Sequence, residues 1–207
     1  MDSVVAESGV SAKVAAVHED DVFDLLTEIE STPGPTSKAE RLSAQAASMA
    51  IGEYGRETFL VAAGQHHQMQ GDFDSARRCF EEADADGGES VTEPLANLHS
   101  LALAMRDEPS ADLHLAELRR RAAQGLADAG TCVFVAETLE SHHRLQEAAR
   151  WFTLPLRDID PDDVDELDPY CLQGRLRVRA ELGLRPDRYD VVALTQLEAR
   201  LQRGAGD

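Results

Sequence analysis

The side chains best suited to bind a metal ion are the histidines and one run of carboxylates. The seven histidines include two adjacent pairs, His66-His67 and His142-His143. Neighbouring residues on a helix point about 100° apart, so neither pair is expected to hold one ion, and packing explains His67 better. Residues 158–168 hold seven acids in eleven positions and begin like a calcium loop, but Pro169 stands where the bidentate glutamate belongs. We predict no metal site and interpret the run as a solvated linker, with weak divalent-cation binding as the alternative.

The three cysteines, Cys79, Cys132 and Cys171, are the candidates for thiol chemistry. They are odd in number, widely spaced and form no CxxC pair, so neither a disulfide framework nor a zinc site is predicted. Arg77 and Arg78 next to Cys79 favour a thiolate, but no histidine partner or helix N-terminus accompanies it. GxSxG, Walker GxxxxGK, GxGxxG and HExxH motifs are missing from the sequence. The sequence therefore predicts a protein that is not an enzyme and that uses no cofactor.

Length and charge narrow the functional classes further. The chain has 207 residues, 43% of them apolar, and a formal net charge of −19. This length is typical of one domain with a substantial core, and the acidic excess disfavours binding to nucleic-acid phosphates. No apolar run approaches the length of about 18 residues that a membrane span requires. Residues 1–21 contain one lysine and no sustained apolar stretch, so we expect no signal peptide and a cytoplasmic location.

Helical periodicity begins near residue 18 and continues to residue 203. Gly and Pro clusters separate the periodic segments, and no convincing strand pattern occurs. We predict an all-α chain in which a single helical domain, 18–203, lies between flexible tails at 1–17 and 204–207. The predicted helices cover about 19–30, 37–52, 57–70, 74–86, 92–105, 110–126, 129–142, 145–152, 170–182 and 187–203.

Small and aromatic residues recur through these helices at a nearly constant period. Small residues allow two antiparallel helix backbones to approach, and an aromatic ring fills the space towards the next pair. About 35 residues after the clearest pair the pattern returns in weaker form, and it strengthens again about 37 residues later. The residues predicted to pack the repeats are Leu60, Gly64, Ala76, Phe80 and Ala83 in one pair and Ala136, Ala148 and Phe152 in another.

On these residues, the segment Glu57–Gly88 resembles a tetratricopeptide repeat, and its Gln70–Asp74 turn is similar to the inter-helix turn of that family. The resemblance implies an α-solenoid of about four to five antiparallel helix pairs over roughly residues 20–190. Pro186 replaces the expected small residue of the last pair, which implies an atypical C-terminal cap. An irregular helical bundle is the alternative architecture.

A second, weaker resemblance concerns the C-terminal region. Residues 174–189 are similar to a segment of actinobacterial proteins that carry a SecA-like C-terminal zinc motif. The paired cysteines of that motif are absent here, so neither zinc binding nor translocation is predicted.

The tetratricopeptide-like register assigns a concave groove to the first helix of each pair. In this register the groove is acidic at both flanks and uncharged, partly apolar, in the middle. Its complement is a basic or amphipathic protein or peptide with a small apolar anchor. A solvated acidic face without a partner is the alternative. The predicted groove residues are Asp24, Glu28, Val61, Gln65, Gln68, Met69, Glu93, Leu103, Val133, Glu137 and Glu140.

Arginines concentrate late in the chain. Arg175 and Arg179 share one helical face and form a predicted basic patch, and Arg119–Arg121 form another. These arginines either receive an acidic partner, including a second copy in a homodimer, or pair with neighbouring acids. The predicted function is a non-catalytic adaptor or scaffold that binds protein or peptide. A ligand-responsive regulator and a homo-oligomeric structural protein are the alternatives.

Overall fold

A computed structural model of the chain describes residues 19–34, 36–87 and 93–204. The predicted tail at 1–17 and residues 205–207 lie outside this part, whereas Gly204, assigned to the C-terminal tail, ends the last helix. The described residues form helices and turns without a β-strand, which confirms the all-α class. The helices are α1 Glu19–Ser31, α2 Lys38–Ala47, α3 Arg56–Met69, α4 Phe73–Asp86, α5 Pro94–Ala104, α6 Glu108–Ala123, α7 Ala129–Ser141, α8 Leu145–Thr153, α9 Pro169–Glu181 and α10 Arg188–Gly204.

Several helices begin at a side-chain cap that the sequence encodes locally. Helix α2 has a capping box, in which the Ser37 hydroxyl accepts from the Glu40 N–H (3.2 Å) and the Glu40 carboxylate accepts from the Ser37 N–H (3.0 Å). Four other helices start at an aspartate whose carboxylate accepts the backbone N–H three residues later, at 2.7–3.3 Å. These N-cap aspartates are Asp72, Asp107, Asp128 and Asp168.

Two predicted boundaries are wrong. The second helix ends at Ala47, well before the predicted end near Gly52, because residues 50–55 form consecutive turns with Gly52 and Gly55 at φ of +75° and +88°. The predicted linker at 158–168 contains one short 3₁₀ turn, Val164–Glu166. A second such turn, Leu154–Leu156, extends the end of α8.

Consecutive helices pack on one another, except α6 and α7, which make little contact, and a second set of contacts joins alternate helices. α3 contacts α5, α5 contacts α7, and α7 contacts α9. One core cluster extends from Val22 in α1 to Val178 in α9. A smaller cluster around Leu156, Leu172 and Ala193 anchors α10. All eight residues that the sequence assigns to repeat packing are buried.

Two glycines allow aromatic rings to lie directly against a helix backbone. A Cβ atom added at Gly64 of α3 would lie 2.4 Å from Phe80 Cε1, and one at Gly174 of α9 would lie 2.2 Å from Phe152 Cε1. Both phenylalanines are fully buried, so neither ring has free volume into which to move. These positions therefore require glycine for packing, although both lie within helices where glycine is unfavourable.

We expect Gly64→Ala to lower the free energy of unfolding by about 1–3 kcal/mol, because the added methyl group overlaps the Phe80 ring. The measurement is chemical denaturation followed by far-ultraviolet circular dichroism. Gly130→Ala is the matched control, since this helical glycine of α7 has only Asp128 oxygens nearby, at 3.7 and 3.9 Å. The control should be neutral or stabilising by up to about 1 kcal/mol. Equal destabilisation by both variants would contradict the packing argument.

Candidate functional site

Polar contacts tie the first helices of successive pairs into a row. His66 of α3 contacts Glu30 of α1, with its Nε2 atom 2.5 Å from the carboxylate. On the adjacent side of α3, the amide of Gln65 donates to the Asn97 side chain of α5 at 3.1 Å. Farther along, the Arg177 guanidinium of α9 donates twice to Glu140 of α7, at 2.6 Å each. These contacts place α1, α3 and α5 side by side at one end and α7 and α9 at the other.

The row exposes part of the predicted groove. Asp24 and Glu28 of α1 and Glu137 of α7 are exposed, and Met69 at the end of α3 is 72% exposed. The other uncharged residues of the prediction, Gln65, Gln68 and Val133, are partly buried. This surface, Asp24, Glu28, Gln68, Met69 and Glu137, is called the first-helix face below.

Two residues assigned to the groove cannot line it. Val61 is 4% exposed and belongs to the main core cluster, and Leu103 is 2% exposed against Ala102 and Ala111. Helix α5 is surrounded by α3, α4, α6 and α7, so its residue Leu103 is buried although the predicted register placed it on the groove. The prediction that Val61 and Leu103 line the groove is therefore wrong.

The prediction that Glu93 and Glu140 give the groove a negative charge that attracts a basic partner also needs correction. The Glu93 carboxylate forms a close ion pair with Arg121 of α6, and Glu140 is held by both donors of Arg177. A carboxylate already bound by arginine attracts a cationic partner weakly. Asp24, Glu28 and Glu137 are thus the predicted groove acids whose charge faces solvent.

A buried charge cluster joins α3 to the end of α4. Arg56, 6% exposed, forms close ion pairs with Asp86 and Glu82, and Asp86 also accepts the Gly52 N–H at 3.1 Å. Glu57, the next residue, is 5% exposed. Burial raises the pKa of Glu57 to about 7, an effect to which the nearby carboxylates add, foremost that of Glu93.

We expect Glu57→Gln to stabilise the protein at pH 8 and to have little effect at pH 4. The carboxyl of Glu57 has a pKa of about 7 in the folded chain against 4.5 in the reference state. As pH rises between these values, the unfolded chain ionises first, so the folded state loses stability on the order of 1–3 kcal/mol. The measurement is the difference in unfolding free energy between variant and parent across this range. Glu181→Gln, at an exposed position of α9, controls for the loss of one charge; an E57Q effect independent of pH would contradict the assignment.

The predicted basic patch is internally neutralised. Arg175 is 5% exposed and donates to Asp190 at 2.5 Å and to Asp187 at 2.6 Å. Arg179 donates to the same Asp190 at 2.9 Å and to the Arg185 carbonyl at 3.0 Å. The prediction that Arg175 and Arg179 receive an acidic partner is therefore wrong, and the alternative of local pairing holds. These ion pairs fasten α10 to α9.

We expect Asp190→Ala to destabilise the protein by about 3–5 kcal/mol, because it leaves the buried Arg175 guanidinium without one of its counter-charges. Arg188→Ala is the control, since Arg188 and its partners Asp160 and Asp162 are exposed and such pairs contribute at most about 1 kcal/mol. Thermal denaturation of both variants in one buffer measures the difference. A D190A loss no larger than that of R188A would show that the cluster is not a structural clamp.

The candidate nucleophiles and one unpredicted histidine occupy packing positions. Burial raises the pKa of the Cys79, Cys132 and Cys171 thiols, to about 12 for Cys132, which disfavours the thiolate that thiol chemistry requires. His99 of α5 is fully buried, its Nδ1–H donates to the Ala111 carbonyl at 2.9 Å, and burial lowers its pKa to about 4. His99 is thus a neutral link between α5 and α6. No cluster of three or more metal-binding side chains occurs within the described ranges.

The largest departure from the sequence prediction is a groove on the other side of the molecule. Two adjoining cavities, of about 530 and 240 Å³, share Arg150, Leu154 and Arg157 as lining residues. Sequence reasoning assigned no role to these three residues. Their spacing of four and three places them on one side of α8 and its 3₁₀ extension, and this is the signal that could have revealed them.

None of the helices in the described part of the chain is long and apolar enough to cross a membrane. Comparison with protein-family models, with curated proteins and with solved structures found no match to this chain.

Proposed function

We propose that the chain is a tetratricopeptide-like α-solenoid that binds another polypeptide along its first-helix face. In this proposal the protein acts as a non-catalytic adaptor or scaffold and needs neither metal nor cofactor. The partner is a basic or amphipathic segment. The observation that carries the proposal is the row of first helices, in which α1, α3 and α7 each expose residues of the first-helix face while α5 is almost wholly buried.

The packing pattern supports the repeat architecture. In a stack of helix pairs, each helix contacts its sequence neighbours, and the first helices of successive pairs contact one another. The contacts of α3 with α5, of α5 with α7 and of α7 with α9 follow this order. Gly64, Ala76 and Phe80 lie buried where one helix crosses the other, as the small–aromatic pattern requires.

Side-chain directions on α3 and α7 support an open face. On α3, Gln65 points to α5 and His66 points to α1, and Met69 projects between these two directions because successive residues rotate by about 100°. On α7, exposed residues Gly130, Glu137 and Ser141 lie on one side, at spacings of seven and four. Each helix therefore presents one narrow strip to solvent.

Charge and shape on this face favour a specific kind of partner. Met69 supplies a flexible apolar contact, and thioether side chains adapt to varied apolar surfaces. Asp24, Glu28 and Glu137 are exposed and form no ion pair with a described residue, whereas Glu140 is held by Arg177. A segment with lysine or arginine at its ends and a small apolar residue between them complements both features. Pre-ordered helices avoid the ordering cost of a flexible binder.

The test is binding of fluorescent basic amphipathic peptides to the full chain, measured by fluorescence anisotropy at increasing salt concentration. We expect affinity to fall with ionic strength, because the contact is partly electrostatic. Glu137→Lys should weaken binding by roughly three- to tenfold, and Met69→Ser should weaken it at all salt concentrations.

Glu198→Lys is the matched control, because Glu198 is exposed on α10, away from the first-helix face. This variant changes the net charge equally and should alter affinity by less than about twofold. Affinity that is insensitive to salt and equal in E137K and E198K would rule out the first-helix face as the binding surface.

A further inference from the structure

The two adjoining cavities form one open trough on the side of the molecule built from α6, α8 and the end of α9. Arg150, Leu154 and Arg157 line both cavities, Ala122 of α6 and Trp151 of α8 line the smaller one, and Leu182 and Leu184 line the larger one. Leu184 is 47% exposed and Arg157 is exposed at the rim, so the trough is shallow and accessible. The arginine trough is defined by Arg119, Arg150, Trp151, Leu154, Arg157 and Leu184.

The charged side chains that line the trough are all arginines, although Arg119 is paired with Glu147 and Arg179 with Asp187 and Asp190. Arg150 is exposed and makes no hydrogen bond or ion pair with any described residue. Arg157 pairs with Asp158, and both side chains are largely exposed, at 67% and 83%. No aspartate or glutamate is among the described residues that line the two cavities, although the chain has 39 acidic residues against 20 basic ones.

Arg150 contrasts with the arginines that join helices. Arg175 is held by Asp187 and Asp190, and Arg121 is held by Asp84, Glu93 and Glu117. Because Arg150 has no partner among the described residues, its guanidinium is available to an anion. An arginine guanidinium binds a carboxylate through two parallel hydrogen bonds. The apolar floor next to it requires that the anion carry an apolar group.

We propose that the arginine trough binds an acidic, apolar segment of a partner protein, with Arg150 and Arg157 on its carboxylates and Leu154, Leu182 and Leu184 against its apolar side chains. The trough extends over three elements and two cavities, which suits an extended or helical segment; a small ligand would leave much of it uncovered. The net charge of −19 repels a long polyanion such as a polyphosphate, because such a ligand extends beyond the trough. A short acidic segment stays within the trough, where the local charge is positive. This surface is separate from the first-helix face and takes the opposite charge.

The single tryptophan of the chain is Trp151, which lies almost fully buried beneath the smaller cavity, so its emission responds when a bound ligand changes the surroundings of the trough. The probe is a synthetic helical peptide that carries aspartates and leucines on one face and contains no tryptophan. We expect a saturable change in Trp151 emission on titration into the full chain, with affinity confirmed by isothermal titration calorimetry. Arg150→Glu should weaken binding at least tenfold, about 1.4 kcal/mol, and Leu184→Ser should also weaken it.

Arg200→Glu is the matched control, because Arg200 is exposed on α10 and does not line the trough. It changes the net charge equally and should leave affinity within about twofold. Circular dichroism confirms that each variant retains its helices. Binding of the basic peptides used for the first-helix face should be the same in R150E and in the parent, so the two proposals fail independently.

Three further probes decide the class of ligand. A peptide with asparagine in place of aspartate, and one with serine in place of leucine, should each bind at least tenfold more weakly. Decanoate that binds as tightly as the acidic peptide would overturn the proposal in favour of a small amphiphile. Preferential binding of anionic phospholipid vesicles would overturn it in favour of a membrane surface. Absence of any Trp151 response or binding heat with the acidic peptide would overturn it outright.

Discussion

The contact between a phenylalanine ring and a glycine in a facing helix sets the spacing on which the rest of this structure depends. Phe80 lies against Gly64 within one helix pair, and Phe152 lies against Gly174 between one pair and the next. With a side chain at either glycine, the helices would have to separate or the ring would have to move within a packed interior. The short distance lets the first helices lie side by side, close enough for Gln65 to reach Asn97 and for Arg177 to reach Glu140.

The second organising property is where the positive charge is placed. Arginines that link elements are paired with acids from other helices, as Arg121 is with Asp84 and Glu93, and Arg56 with Asp86. Burial of such a pair costs desolvation energy, but separation of the partners would leave a buried charge without its counter-charge. The pairs therefore fix the relative position of the helices they join. The acids that remain on the surface carry the net negative charge. Arg150 is an exception, since it is exposed, unpaired among the described residues, and adjacent to an apolar floor.

Much of the fold could be predicted because its signals are local. The Ser37–Glu40 capping box, the aspartate caps before Ser75 and Thr131, and the glycines that end helices act over three or four residues, and each is visible in the sequence. The small–aromatic pattern at Gly64, Ala76 and Phe80 likewise placed these residues in the interior, where the structure has them. The predicted end of α2 was wrong because two turns at positive φ, around Gly52 and Gly55, interrupt an otherwise helical pattern.

The candidate site was less predictable, because exposure depends on several helices at once. By itself the sequence determined the helical class, most helix boundaries and the identity of the closely packed residues, since hydrophobic periodicity and capping are properties of short segments. Only the tertiary structure decided that Val61 and Leu103 are covered by neighbouring helices, that Arg175 and Arg179 are neutralised by Asp187 and Asp190, and that Arg150 faces an open trough. Burial and ion pairing of a side chain depend on residues from other helices, and the sequence of one helix does not specify which helices pack against it.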